Sequence, residues 1–250
     1  MSQTMDHATY LSHVRVESAR LRAAAATALD RPVPTCPGWT GADLLNHVAE
    51  VYLEKAQIMR LGAYPQPWPP DLTGTDPLAN FDAATTDILA ELAGRDPADH
   101  SLTWYDPDQT VGFWHRRMAH EAVIHRIDAE EAAGVESAPV PDDLATDGID
   151  EVLITFLAFA SAAYPGGFDG ALENLDGRTV RIEAGASSWY VTLAPAITVA
   201  PSGTADATLR STPDQLLRWL WRRPTTGDIT VEGDQTLVAT LHHLLKSATQ

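Results

Sequence analysis

Three residues on two separated stretches, His47, Glu121 and His125, have the types and the spacing to hold a divalent cation. In the stretch Thr35 to Tyr52 the apolar residues Leu44, Leu45, Val48, Val51 and Tyr52 recur at helical spacing, and His47 falls between Leu44 and Val51 on the same stripe. The spacing predicts that His47 points inward. In the stretch Trp114 to Glu131, Met118, Glu121, Ala122, His125 and Ala129 share one face, because a four-residue step overshoots a full helical turn by only about 40°. Glu121 and His125 therefore project side by side. A buried carboxylate and imidazole cost free energy unless they are paired or bound to metal, and a third inward imidazole on another helix completes a His2Glu set. Spacing alone leaves a second reading open, a hydrogen-bonded Glu–His core pair plus an unrelated histidine on an apolar stripe. The HExxH zinc-protease pattern is excluded: His120 and His125 stand five residues apart, about 140° around the helix.

The elements that must position these residues read as a helical bundle. Tyr10, Leu11, Val14, Leu21, Ala25 and Ala28 stripe a first helix from about Asp6 to Leu29, ended before Pro32. The second helix starts at Thr40 as N-cap with Asp43 closing a capping box, and Trp39 packs on Leu44 as a hydrophobic staple. Between Tyr64 and Asp76, Pro65, Pro67, Pro69 and Pro70 around Trp68 rule out a helix interior. This crossover loop is either a packed structural loop or a wall or lid over a site. A third helix is capped by Asp76 with Pro77 at its first position, turning Phe81, Thr85, Ile88, Leu89 and Leu92 inward. A fourth runs from Trp114 to Ala133, with Gly134 closing it and Arg126 expected on its solvent side.

The motifs PGWTGADLLNHVAE and HEAVIHRIDAE resemble those of the maleylpyruvate isomerase family of mycothiol-dependent enzymes, within the DinB/YfiT-like superfamily. The resemblance implies an N-terminal all-α four-helix bundle, residues 1–138, followed by a smaller α+β, sterol-carrier-like domain, residues 139–250. It also implies metal ligation by the residues at the motif positions, here His47, Glu121 and His125, with none missing. The open position of such a site takes an exogenous thiol in that family, namely mycothiol. Metal coordination converts a thiol of ordinary pKa near about 8.5 into a thiolate at neutral pH, which then attacks an electrophilic small molecule. Isomerisation through a transient adduct and stable thiol transfer both remain open. Zinc is the most natural ion for this donor set, although imidazole and carboxylate also accept nickel, iron, cobalt or manganese.

With 34 acidic against 17 basic residues in 250, the net charge of −17 argues against nucleic-acid binding, which depends on neutralising phosphates. No apolar stretch approaches the roughly 20 residues needed to span a bilayer, and no basic leader precedes an apolar run. A cytoplasmic protein is expected, of undetermined oligomeric state. Cys36, the single cysteine, fits a reducing compartment, and packing within the PTCPG loop is its ordinary role, a nucleophile being the alternative. His7 and His13 share no spacing with a second ligand and are expected in solvent. Asp43, four residues before His47, is read as a cap, with an imidazole-orienting role as the alternative. Asp128, three residues after His125, is either an imidazole-orienting acceptor or a surface ion-pair partner.

Beyond the PVPD linker at 139–142, a helix is expected from Asp143 to about Ala163. Strands follow over Arg178 to Ala184, Trp189 to Ala194, Ile197 to Ala200 and Thr204 to Ser211, then a helix from Thr212 to Trp221. A last strand covers Ile229 to Glu232, and Asp234 caps a closing helix through Leu245. The resemblance suggests that one arginine of this half binds a substrate carboxylate as a fork. Arg222 is taken as the candidate within the cluster Arg218, Arg222 and Arg223, the others being expected to lie along tryptophan on helix surfaces. Two rival functions stay open. One is a metal-dependent hydrolase with Glu50 or Glu54 as base, which would turn over without thiol; the other is a noncatalytic protein that binds an apolar ligand.

Overall fold

The structure, a computed structural model, describes residues 5–72 and 74–249. The chain divides into two compact units, Met5–Ala138 and a second from Pro139 onward. In the first, four helices are formed: α1 (His7–Ala25), α2 (Gly41–Leu61), α3 (Pro77–Ala93) and α4 (Val111–Ala133). Each begins at a side-chain cap. Asp6, Thr40, Asp76 and Thr110 accept from backbone N–H groups of their own first turns, and Thr40 and Asp43 form the reciprocal box. The Thr110 cap starts α4 three residues ahead of the expected Trp114. Gly62 and Gly134 close α2 and α4 in the left-handed conformation that a glycine adopts without strain.

Inside the unit α1 packs chiefly on α4, and α2 on α3, with α2 also touching α4. The first residue of α2 is fitted against the end of α1: a Cβ at Gly41 would lie 2.3 Å from the carbonyl oxygen of Ala28. The motif glycine thus permits an approach that seats α2, and with it His47. The Pro-rich crossover, with cis peptides before Pro67 and Pro69, buries Pro65 and half-buries Trp68.

The second unit is α+β. Helix α5 (Asp142–Glu151) passes through a π-helical stretch, Val152–Ala158, into α6 (Phe159–Ala163), so the single expected helix is interrupted by a wider turn that residue type does not announce. Strands β1 (Arg178–Ala184), β2 (Ser187–Leu193), β3 (Thr198–Ala200), β4 (Ala207–Ser211) and β5 (Thr230–Gly233) pair in the order β3-β2-β1-β4-β5. The β1–β4 pair is parallel and the other three are antiparallel. Val180 and Ile182 of β1 and Trp189, Val191 and Leu193 of β2 alternate inward, as a half-buried sheet requires. Helix α7 (Pro213–Leu220) packs on α5, and α8 (Gln235–Ala248) lies on β1 and β4 with Leu237, Leu241, Leu244 and Leu245 buried. Among the described residues no helix is long and apolar enough to cross a membrane.

Candidate metal centre

The periodicity of α2 and α4 brings the three candidate ligands together. Nε2 of His47 and Nε2 of His125 face the same atom, Oε1 of Glu121, at 3.5 and 3.3 Å. One ligand atom from each of the three residues lies within 4.8 Å of the others. These separations are wide for a good hydrogen bond. They are what a metal requires, since two ligands at about 2.0–2.1 Å from a tetrahedral zinc ion stand roughly 3.3 Å apart. By that measure the donor set fits a divalent ion.

Neighbouring groups hold two of the three ligands. Nδ1 of His125 meets Oδ2 of Asp128 at 2.9 Å, which assigns the Nδ1 proton to that bond and leaves Nε2 as the ring atom that faces Glu121. Asp128 is fully buried and is itself gripped from the loop before α2: Thr35 donates its hydroxyl to Oδ1 at 2.5 Å, and the Cys36 thiol points at Oδ2 from 3.7 Å. Asp128 therefore lies in the interior rather than in a surface pair. Cys36 thus takes part with Thr35 in holding Asp128 from this loop. Oε2 of Glu121 accepts a 2.6 Å bond from Nη2 of Arg117. His47 has a different support, the ring of Trp39 with centroids 4.7 Å apart. Asp43 stays at the cap of α2, bonded to Thr40.

The electrostatics follow from this crowding. Burial opposes the charge on Glu121, but His125, His47 and Arg117 outweigh it and hold the carboxyl well below its ordinary range. Burial likewise opposes the charge on His125, yet Glu121 and Asp128 prevail and raise the imidazole to about 9. In the metal-free protein the site is thus a carboxylate facing an imidazolium, each stabilised by the other.

Access is from the His47 side. Its side chain is 35% exposed, against 12% for Glu121 and 11% for His125. A cavity of about 690 Å³ opens there, lined by Trp39, Asn46, His47 and Glu50 of the α2 side and by Pro70 and Leu72 of the Pro-rich loop. The loop is therefore a wall of the cavity beside His47. Of the two candidate bases, Glu50 lines that cavity and Glu54 is paired with Lys55.

Two buried arginines depart from expectation, and the other positions singled out in the sequence are placed as follows. Arg126, expected in solvent, is fully buried: Nε donates to Glu17 of α1 at 2.8 Å and Nη1 to Glu130 at 2.7 Å. Packing of α1 covers the face of α4 opposite the site, which helical periodicity within α4 does not reveal. Arg218, expected along a tryptophan, is instead buried and donates to Asp214 at 2.8 Å. Arg222 adopts φ +57 and donates Nη1 to the carbonyl of Leu245 and the hydroxyl of Thr249, at the end of α8. Arg223 donates to the carbonyl of Trp221. His7 is exposed and lies beside the buried His115, with ring centroids 5.3 Å apart. Arg117 and Thr35 were missed in the sequence. Arg117 could have been found, since it stands one four-residue step before Glu121; Thr35 could not, being 93 residues from its partner.

Comparison with known proteins agrees with this architecture. Residues 11–130 match the family model described as mycothiol maleylpyruvate isomerase N-terminal domain, and residues 143–240 match the MDMPI C-terminal domain. A crystal structure of a mycothiol-dependent maleylpyruvate isomerase superimposes with a TM-score of 0.65 at 13% identity, covering 93% of this chain and 97% of that one. A histidine-to-alanine mutant of the same isomerase gives the same figures. At such identity the likeness establishes the fold alone. No individually curated protein matches the sequence. With both halves matched in order by the two domain models, the chain belongs to the mycothiol-dependent maleylpyruvate isomerase family.

Proposed function

We propose that the protein is a divalent-metal-dependent enzyme that uses mycothiol to attack an electrophilic small molecule, as an isomerase or a thiol transferase. The observation that carries the metal is the pair of separations, 3.3 and 3.5 Å, between one carboxylate oxygen and two imidazole nitrogens. His47, Glu121 and His125 would hold the ion, and zinc suits two imidazoles and a carboxylate. When bound, the ion supplies Lewis acidity that keeps an exogenous thiol deprotonated at neutral pH. The chain's own residues do the rest of the preparation. Asp128 fixes the tautomer of His125 so that Nε2 is the ligating atom, and Thr35 holds Asp128 in register. The Trp39 ring limits the rotation of His47. The Cys36 thiol takes part in holding Asp128, and the attacking sulfur comes from the cosubstrate. The cavity beside His47 gives thiol and electrophile a route to the site.

A hydrolase reading retains one favourable observation, Glu50 in the wall of the same cavity. The decisive experiment measures metal by mass spectrometry in wild type and in His125→Ala, then assays the zinc-loaded wild type on an activated electrophile with and without mycothiol. About one equivalent of metal in wild type, little in the variant and turnover only with thiol are expected, because losing one of three ligands weakens binding sharply. Equal metal in both proteins would sink the triad. Turnover without thiol would transfer the site to the hydrolase reading.

A further inference from the structure

Glu121 uses its two carboxylate oxygens for different purposes. Oε1 faces both imidazole nitrogens, whereas Oε2 is engaged by Nη2 of Arg117 at 2.6 Å. Arg117, Glu121 and His125 succeed one another at four-residue steps along α4, so a single stripe carries the guanidinium, the carboxylate and the imidazole. The Arg117 side chain is only 6% exposed. A guanidinium stays protonated throughout the accessible pH range, and a short bond between it and a carboxylate away from water is of the strong, charge-assisted kind.

We propose that Arg117 is a positioning residue that restricts Glu121 to one ligating oxygen and so keeps a coordination position free for an exogenous ligand. This rests on the metal reading above and deepens it. A carboxylate binds a cation through one oxygen or through both, and nothing in the group itself makes the choice. With both oxygens on the ion, Glu121 would occupy a position that a catalytic site keeps open. The bond to Arg117 ties down Oε2, so swinging that oxygen in toward the imidazoles strains or lengthens a short charge-assisted bond. Compensation of a buried charge is a different role, and Arg117 serves it as well, but that role would be met by any nearby cation. The division of labour between Oε1 and Oε2 needs a donor directed at one oxygen.

The test uses the full chain loaded with zinc, and separately with cobalt as a spectroscopic substitute. X-ray absorption at the zinc edge counts oxygen and nitrogen neighbours in wild type, Arg117→Lys and Arg117→Met, while visible absorption of the cobalt form weakens as coordination number rises. Wild type is expected to show one carboxylate oxygen. Arg117→Met is expected to gain about one oxygen neighbour and lose cobalt absorption, and Arg117→Lys, which still presents a donor, to stay near wild type. A merely structural role would move the melting temperature and leave both spectra unchanged. Two Glu121 oxygens on zinc in wild type overturn the clamp without any variant, so a failure of Arg117→Met to fold does not rescue it. Superimposable wild-type and Arg117→Met spectra overturn it too. A wild type that takes up no zinc removes the metal reading and the clamp together, whereas zinc held by both oxygens removes the clamp alone.

Discussion

Helices α4 and α8 differ in what they bury: α4 sets ionisable side chains among its apolar ones, and α8 buries apolar side chains alone. The buried positions of α4 include His115, Arg117, His120, His125, Arg126, Asp128 and Glu130, whereas those of α8 are Leu237, Val238, Leu241, Leu244 and Leu245. An apolar face such as that of α8 is specified by volume and shape, and close isosteres satisfy it. A buried ionisable face is specified partner by partner, because each charge left without its counterpart costs several kcal/mol. Hydrophobic residues of equal size would often stabilise such a core more. The polar positions buried in α4 are therefore fixed by their individual partners, while the apolar positions buried in α8 are fixed by packing.

Four measurements break or sharpen this contrast. The largest effect is expected from Arg126→Met, which removes the buried guanidinium shared by the carboxylates of Glu17 and Glu130. A loss of about 3–5 kcal/mol in urea unfolding is expected. A loss below about 1 kcal/mol would show that this face of α4 tolerates unpaired charge after all. Leu241→Ala in α8 should cost about 2–5 kcal/mol through transfer and cavity terms, and should leave metal stoichiometry untouched. Metal loss in that variant would mean that the two helices are not separable in role.

Asp128→Asn keeps the shape of the acceptor but removes its charge beside His125. Zinc affinity, read by competition with a chelator, should fall about 10–100-fold with little change in fold. An unchanged affinity would reduce Asp128 to packing. The smallest effect per step is the pH dependence. His125 in the metal-free protein is raised to about 9 by Glu121 and Asp128 against the opposing burial, so zinc must displace a proton from it. Affinity should rise about tenfold for each pH unit between roughly 6 and 8, with about one proton released in calorimetry. The sign for stability is opposite. The raised imidazole stabilises the metal-free fold fully below its unfolded value near about 6.5, and that contribution is lost as pH rises through about 9. A flat affinity profile would show that the imidazole is already neutral.

Much of the helical unit is written locally. Thr40 and Asp43, Asp76 and Pro77, and Gly134 mark helix ends through bonds that span a few residues, so the starts of α2 and α3 and the end of α4 follow from residue type. The start of α4 was less legible, because the Thr110 cap lies ahead of the striped residues. The inward direction of His47, Glu121 and His125 was legible for the same reason as the caps, since a helix repeats every 3.6 residues regardless of what it packs against. Arg117 lay on that stripe and was legible in principle. Arg126 was not, because its burial depends on α1 covering the far face of α4.

Sequence by itself determined where most of the helices and strands lie and which side chains share a face, because both are largely properties of neighbours along the chain. Only the tertiary structure decided that the Glu121 oxygen facing His125 also stands 3.5 Å from His47 on another helix, and that Thr35 reaches Asp128. The His47 separation is set by how far apart α2 and α4 come to rest once Gly41 has closed on Ala28, and helix packing sums over many contacts that no single motif encodes.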